Sequence, residues 1–325
     1  MNRILFSLGL VVVGLAVGYL FQVLVNQGRL SNAPPLDTLR KTLQRTALLV
    51  LNPIAILGAT WVADLGSVRI AAMPFLGLFA LFWGGILAYA AARMFGFANR
   101  QTGAYVVCGG FTNIGSLGAL FCFIFLGEQG FALVPFYKLF EEFAYYAVGF
   151  PVAKGFSRDV AGAETWGSRM RKVWADPFVL AAASGIGTGL ILNLSGVPRP
   201  PVYASVNAVL IPLAALLLLI SIGMAMGFKR VVPLLKPAGV IAGIKFFLVP
   251  LSLAGLAVAA GLHHIQDGLP LKVVLILSSM PVGFIAMVPP TLYDLDIDLA
   301  NACWLLTNAW LLVQVPLLMV VLRMI

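Results

Sequence analysis

The sequence predicts an all-α polytopic membrane protein: ten transmembrane helices as a 5+5 inverted repeat, with broken fourth and ninth helices meeting at the midplane. Three observations lead there. Of 325 residues, 61% are hydrophobic and 10% charged, with mean hydropathy +1.00; soluble chains carry about 25% charged residues. Ten apolar stretches of membrane-crossing length, joined by short connections, take up most of the chain. Two of these stretches are interrupted in their middles, and the interruptions stand 168 residues apart (281 − 113).

The stretches run roughly over 4–26, 43–63, 70–95, 104–126, 131–154, 175–196, 203–227, 238–261, 271–292 and 299–322. The first, MNRILFSLGLVVVGLAVGYLF, has an apolar run too long for a signal peptide and no A-x-A-type cleavage site, so it reads as a helix. The second and seventh hold mid-segment prolines, Pro53 and Pro212. The fourth, AYVVCGGFTNIGSLGALFCFIFL, is a poor apolar helix: Gly109, Gly110, Gly115 and Gly118 surround Thr112, Asn113 and Ser116. Glycine lowers the cost of unwinding, and an unwound turn leaves backbone amides and carbonyls without helical partners. At membrane depth such a break persists only where it is buried in protein or lines a cavity. The ninth, LKVVLILSSMPVGFIAMVPPTLYDL, has Pro281 and Gly283 in its middle after Ser278 and Ser279. Proline removes a backbone donor and clashes with the preceding turn.

Five spans per half is an odd number, so the second half enters the membrane from the opposite side. The halves are residues 1–155 and 175–325, with a cytoplasmic linker at 156–174. Fourteen basic residues fall on one side of this layout: Arg29, Arg40, Lys41, Arg45, Arg93, Arg100, Lys154, Arg158, Arg169, Arg171, Lys172, Lys229, Arg230 and Lys236. Five fall on the other: Arg3, Arg69, Arg199, Lys272 and Arg323. The asymmetry predicts a multi-pass protein of the cell (inner) membrane with both termini non-cytoplasmic. It also accounts for the +9 charge without nucleic acid as a partner; the partner is the lipid bilayer. Cys108, Cys122 and Cys303 lie inside apolar segments without disulfide or metal-ligand spacing, and no cofactor is expected. No motif decides whether the chain forms a homodimer.

Interrupted segments at matching places in two halves are the best sequence pointer to a transporter site. The substrate-binding candidates are therefore Thr112, Asn113 and Gly115 from the first break, and Ser279, Pro281 and Gly283 from the second. Asn113 has two donors and an acceptor, and beside opened backbone it could bind a carboxylate. Lys138, Glu141 and Glu142 lie within the fifth segment and Lys245 within the eighth. Charge at that depth costs about 3 kcal/mol or more, so it faces a cavity or a partner. Lys138 and Glu142 stand at i, i+4 and can pair, with Glu141 pointing about 100° away; Glu141 or Glu142 could take up a proton or hold Na+, and the alternative is a structural ion pair. Lys245 is either an anion-attracting group or a structural counterion. Thr307 and Asn308 read as core hydrogen bonding, and His263 and His264 as loop residues. Asp294, Asp296 and Asp298 form D-x-D-x-D beside the ninth segment, which reads as a solvated loop; its alternative is a divalent-ion site.

At the breaks the sequence resembles the auxin efflux carrier family, the bacterial relatives of the plant PIN transporters. The motifs are Asn113-Ile114-Gly115-Ser116-Leu117-Gly118, Asp176-Pro177, Pro212-Leu213-Ala214 followed by Gly223-Met224-Ala225-Met226-Gly227, Lys245 ahead of Pro250, and Met280-Pro281. Ala119-Leu120-Phe121 stand where family members often have a proline. The resemblance implies a ten-helix fold similar to the bile acid sodium symporters, in which the broken helices cross beside a scaffold. It also implies a secondary transporter or facilitative permease of a small organic anion, a mono- or dicarboxylate, working by alternating access. Na+, H+ or no coupling ion stays open. No P-loop is present, so direct ATP coupling is not expected, and the chain is not read as an enzyme. The alternatives are a transport-dead sensor or scaffold, and a metal-dependent intramembrane enzyme using the aspartates.

Overall fold

The computed structural model describes residues 2–30, 34–64, 66–157, 171, 175, 177–228 and 230–325. Most of the expected linker, with Asp176 and Lys229, lies outside them. The described chain is helical, and its one recorded extended pairing is an isolated antiparallel bridge between Thr112 and Val282. Eight helices of the described residues are long and apolar enough to cross a bilayer. Large apolar side chains such as Phe75, Leu251 and Val313 are more than half exposed. Water would penalise such a surface and acyl chains do not, so this is a membrane-embedded protein.

In chain order the helices are α1 (Asn2–Asn26), α2 (Leu36–Thr60), α3 (Val68–Met94), α4 (Asn99–Gly110), α5 (Ala119–Tyr137), α6 (Glu141–Ala144) and α7 (Phe150–Gly155). They continue with α8 (Pro177–Leu194), α9 (Val202–Gly223), α10 (Val232–Ala259), α11 (Leu269–Ser278), α12 (Val288–Leu292) and α13 (Ile297–Met324). The sequence anticipates ten spans, and eight long helices are seen, for two physical reasons. The expected ninth segment is split into α11 and α12, each well short of about 20 residues. The expected fourth and fifth run together as Ile114–Gly155, 42 residues, about twice a bilayer's requirement. Within that run Gly127 leaves helical geometry at φ 71°, which glycine adopts without steric cost.

The chain divides into two compact units. Unit 1 comprises Met1–Asp64, Ala119–Pro135 and Asp176–Gly227. Its helices meet at small residues, as expected where lipid gives no hydrophobic drive between helices. A Cβ on Gly223 of α9 would come 2.3 Å from the Leu15 carbonyl of α1. Arg199 ties the unit together, bonding Glu128 at 2.7 Å and the Gly58 carbonyl at 2.8 Å.

Unit 2 comprises Leu65–Gly118, Phe136–Ala175 and Phe228–Ile325. Trp304, Tyr105 and Tyr137 are its largest fully buried side chains. Neither unit follows the division at the linker. Each draws on segments before and after it, and all ten candidate site residues lie in unit 2.

Candidate functional site

α4 ends at Gly110, and Phe111 turns extended at φ −84°, ψ 122°. The chain re-enters a helical path at Ile114–Gly118, a wide π turn. On the other strand α11 ends at Ser278, and Met280–Gly283 is non-helical before the 3-10 turn Phe284–Met287. The two gaps bond to each other. Asn113 N–H donates to the Pro281 carbonyl at 2.9 Å, and Gly283 N–H donates to the Phe111 carbonyl at 3.0 Å. Val282 N–H donates to Thr307 Oγ1 at 3.2 Å. Backbone groups that the breaks release are thus paired inside protein, which unsatisfied groups at membrane depth require. Pro281 has no N–H to place, and only its carbonyl is used. At Gly283 a Cβ would lie 2.9 Å from the Thr112 carbonyl oxygen, so the close approach needs glycine.

Polar side chains gather on the first gap. Lys245 sits in a π turn of α10, Ile244–Leu248, and is 1% exposed. Its Nζ donates to Thr112 Oγ1 at 2.5 Å. No ion pair joins it to a carboxylate of the described residues. Tyr145 donates its hydroxyl to Glu141 Oε1 at 2.7 Å, lies 3.4 Å from the Thr112 carbonyl, and sets its ring 4.3 Å from that of Phe111. Glu141 Oε2 pairs with Lys138 Nζ at 3.0 Å. Lys138, Glu141, Tyr145, Thr112 and Lys245 thus form one linked series.

Lys138 pairs with Glu141, three residues on, a contact that the i, i+4 spacing to Glu142 does not anticipate. Helical spacing does not apply there: α5 stops at Tyr137, and Glu141 N–H bonds the Lys138 carbonyl in a turn at 2.8 Å. Glu141 is 5% exposed and Glu142 is half-buried.

Asn113, also buried, accepts at Oδ1 from the Ser116 hydroxyl and, at 3.5 Å, from Leu117 N–H. Its Nδ2 is buried without a protein acceptor. Gly115 lies under Lys138, whose Nζ would be 3.3 Å from a Cβ there. The serines of the second break stay with their own helix. Ser278 Oγ donates to the Leu275 carbonyl at 3.3 Å, and Ser279 N–H points back to Leu275 and Ile276. Asn308 Nδ2 donates to the Trp304 carbonyl at 2.7 Å. Sequence reasoning passed over Tyr145. Its signal is the i, i+4 spacing from Glu141, which lets one hydroxyl reach that carboxylate and the break together.

The three aspartates have separate tasks. Asp294 binds Arg100 at 2.6 Å, Asp296 caps α13 by accepting from Leu299 N–H at 2.9 Å, and Asp298 pairs with Arg230 at 3.1 Å.

No family model matches the chain. Over 289 residues, 86% of this chain and 88% of the relative, it is 27% identical to an uncharacterized transporter of Methanothermobacter thermautotrophicus.

Proposed function

We propose that this protein is a secondary transporter that moves a small organic anion, a carboxylate, by alternating access around the crossed breaks. Likeness over most of its length to a protein named a transporter, in an all-helical membrane-embedded chain, supports the transport part. One observation carries the site: a fully buried lysine bonded to the bridge through Thr112, with no carboxylate of the described residues in an ion pair with it. A buried cation is costly in such surroundings, and an arriving anion lowers that cost. The unpartnered Nδ2 of Asn113 adds a neutral donor on the same break. The auxin efflux carrier resemblance supplies the carboxylate class.

Ten spans in an inverted repeat belong to the same proposal. They are supported by the 168-residue spacing of two breaks that bond to each other. The basic-residue asymmetry supports a cell-membrane location with non-cytoplasmic termini. Glu141, bridged to the break through Tyr145, is the candidate for coupling to H+ or Na+.

The test is uptake of labelled organic acids by proteoliposomes, with and without Na+ and pH gradients. We expect one acid class to be carried, and Asn113→Ala to slow it by about fivefold, the worth of a neutral hydrogen bond of about 1 kcal/mol. Full-rate transport by a normally folded Asn113→Ala protein would move the site elsewhere. Binding without uptake would make the chain a sensor.

A further inference from the structure

Unit 2 contains an apolar groove of about 480 Å³, within the range of about 300–1,000 Å³ typical of ligand sites. One wall is α3, which supplies Phe82, Gly85, Ile86 and Tyr89. These recur at helical spacing and form a single stripe. The opposite wall includes Val152 and Phe156, and the inner end reaches Phe111 and Tyr145 beside the bridge. Phe82, Ile86, Tyr89 and Val152 are all exposed, so the groove opens on the protein's surroundings, which for a membrane-embedded chain are acyl chains. A small carboxylate would find little to bind along it, because the Tyr145 hydroxyl is committed to Glu141.

At its other end the groove changes character. The Tyr89 and Phe156 rings close it, their centroids 6.3 Å apart. One turn beyond Tyr89 the same stripe presents Arg93, exposed and in no ion pair or hydrogen bond among the described residues. Apolar lane, aromatic pair and cation is the order met on passing from hydrocarbon to headgroup.

We propose that this groove holds one acyl chain of an anionic glycerophospholipid from the bilayer, with the lipid phosphate against Arg93. Charge complementarity selects the anionic lipid, since a guanidinium matches phosphate oxygens in two-point geometry. The inner end of the chain then packs on Phe111 and Tyr145, so the lipid buttresses the broken segment.

The experiment is native mass spectrometry of the purified protein with dioleoyl phosphatidylglycerol or dioleoyl phosphatidylcholine, beside photocrosslinking with a phosphatidylglycerol carrying a photoactivatable acyl chain. Wild type should retain one phosphatidylglycerol about tenfold more tightly than phosphatidylcholine, with crosslinks on Ile86, Tyr89 or Val152. Arg93→Gln should abolish the preference. Gly85→Leu should fill the groove and lose both lipids, a Cβ there having Val106 no nearer than 3.8 Å. Equal retention of the two lipids by wild type, or crosslinks mapping outside the groove, overturns the proposal. The wild-type measurements decide it even if Gly85→Leu does not fold, and none of them depends on transport.

Discussion

The two breaks meet in one bridge but are made differently. The gap at Phe111–Asn113 is opened by glycines and furnished with side chains: Thr112 holds Lys245, Asn113 holds Ser116, and Tyr145 reaches in from the next segment. The gap at Met280–Gly283 is made by Pro281 and Gly283 and contributes backbone, while Ser278 bonds its own helix. One break offers groups that could recognise a ligand, and the other offers a surface flat enough to lie against. At Gly283 the crossover needs bare backbone, because a Cβ there would stand 2.9 Å from the Thr112 carbonyl oxygen.

Substitutions on the two sides should therefore fail in different ways, and the largest failure belongs to Lys245. Lys245→Met keeps the bulk of the side chain and removes the charge. If the buried ammonium binds the substrate anion, its loss costs about 2–5 kcal/mol, which is about 30-fold or more in transport. Folding should survive, because Met fills a similar volume and an apolar group in that place spares the desolvation of a charge. Uptake by proteoliposomes and thermal unfolding in detergent separate the two effects. Undiminished uptake would make Lys245 a structural group and erase the chemical contrast between the breaks.

Gly283→Val should reverse that pattern. A Cβ 2.9 Å from the Thr112 carbonyl and 3.3 Å from the Asn113 nitrogen meets backbone, which cannot step aside. We expect about 1–3 kcal/mol of destabilisation, with transport lost as the bridge parts. Thermal unfolding should show it directly, and an unchanged melting temperature would mean that the bridge contributes little to the fold.

Much of this contrast was legible in the sequence. Glycines around an Asn in one apolar stretch, and a Pro-x-Gly 168 residues later in another, announce two unwound segments, because those residues act locally on the backbone. The composition announced the membrane for the same reason. What could not be read is which distant groups meet. Lys245 lies 133 residues from Thr112, and no periodicity links them. The Lys138–Glu141 contact was not anticipated, because it forms across a turn that local residues do not advertise. The interleaving of the chain into two units was hidden as well, since it depends on packing and not on where the hydrophobic runs lie.

A subtler change tests whether Thr112 serves Lys245 or only the bridge. Thr112→Val keeps the β-branched shape and the backbone bonds but removes the one recorded acceptor of the buried ammonium. The charged form then loses a hydrogen bond worth about 1.5–3 kcal/mol. Stability should fall in Thr112→Val and recover in the double variant with Lys245→Met, where no ammonium needs an acceptor. Additive losses in that cycle would mean that the two side chains are not coupled.

The smallest effect should be at Ser279. Its amide bonds the end of α11, the residue is 1% exposed, and its hydroxyl is in no hydrogen bond among the described residues. Ser279→Ala removes one oxygen from a break whose contribution is backbone geometry, so uptake should change by less than about twofold, within the range of ordinary neutral substitutions. A loss as large as that of Asn113→Ala would place a ligand-binding side chain on the second break. The division between a chemical strand and a supporting strand would then give way to a site shared evenly between them.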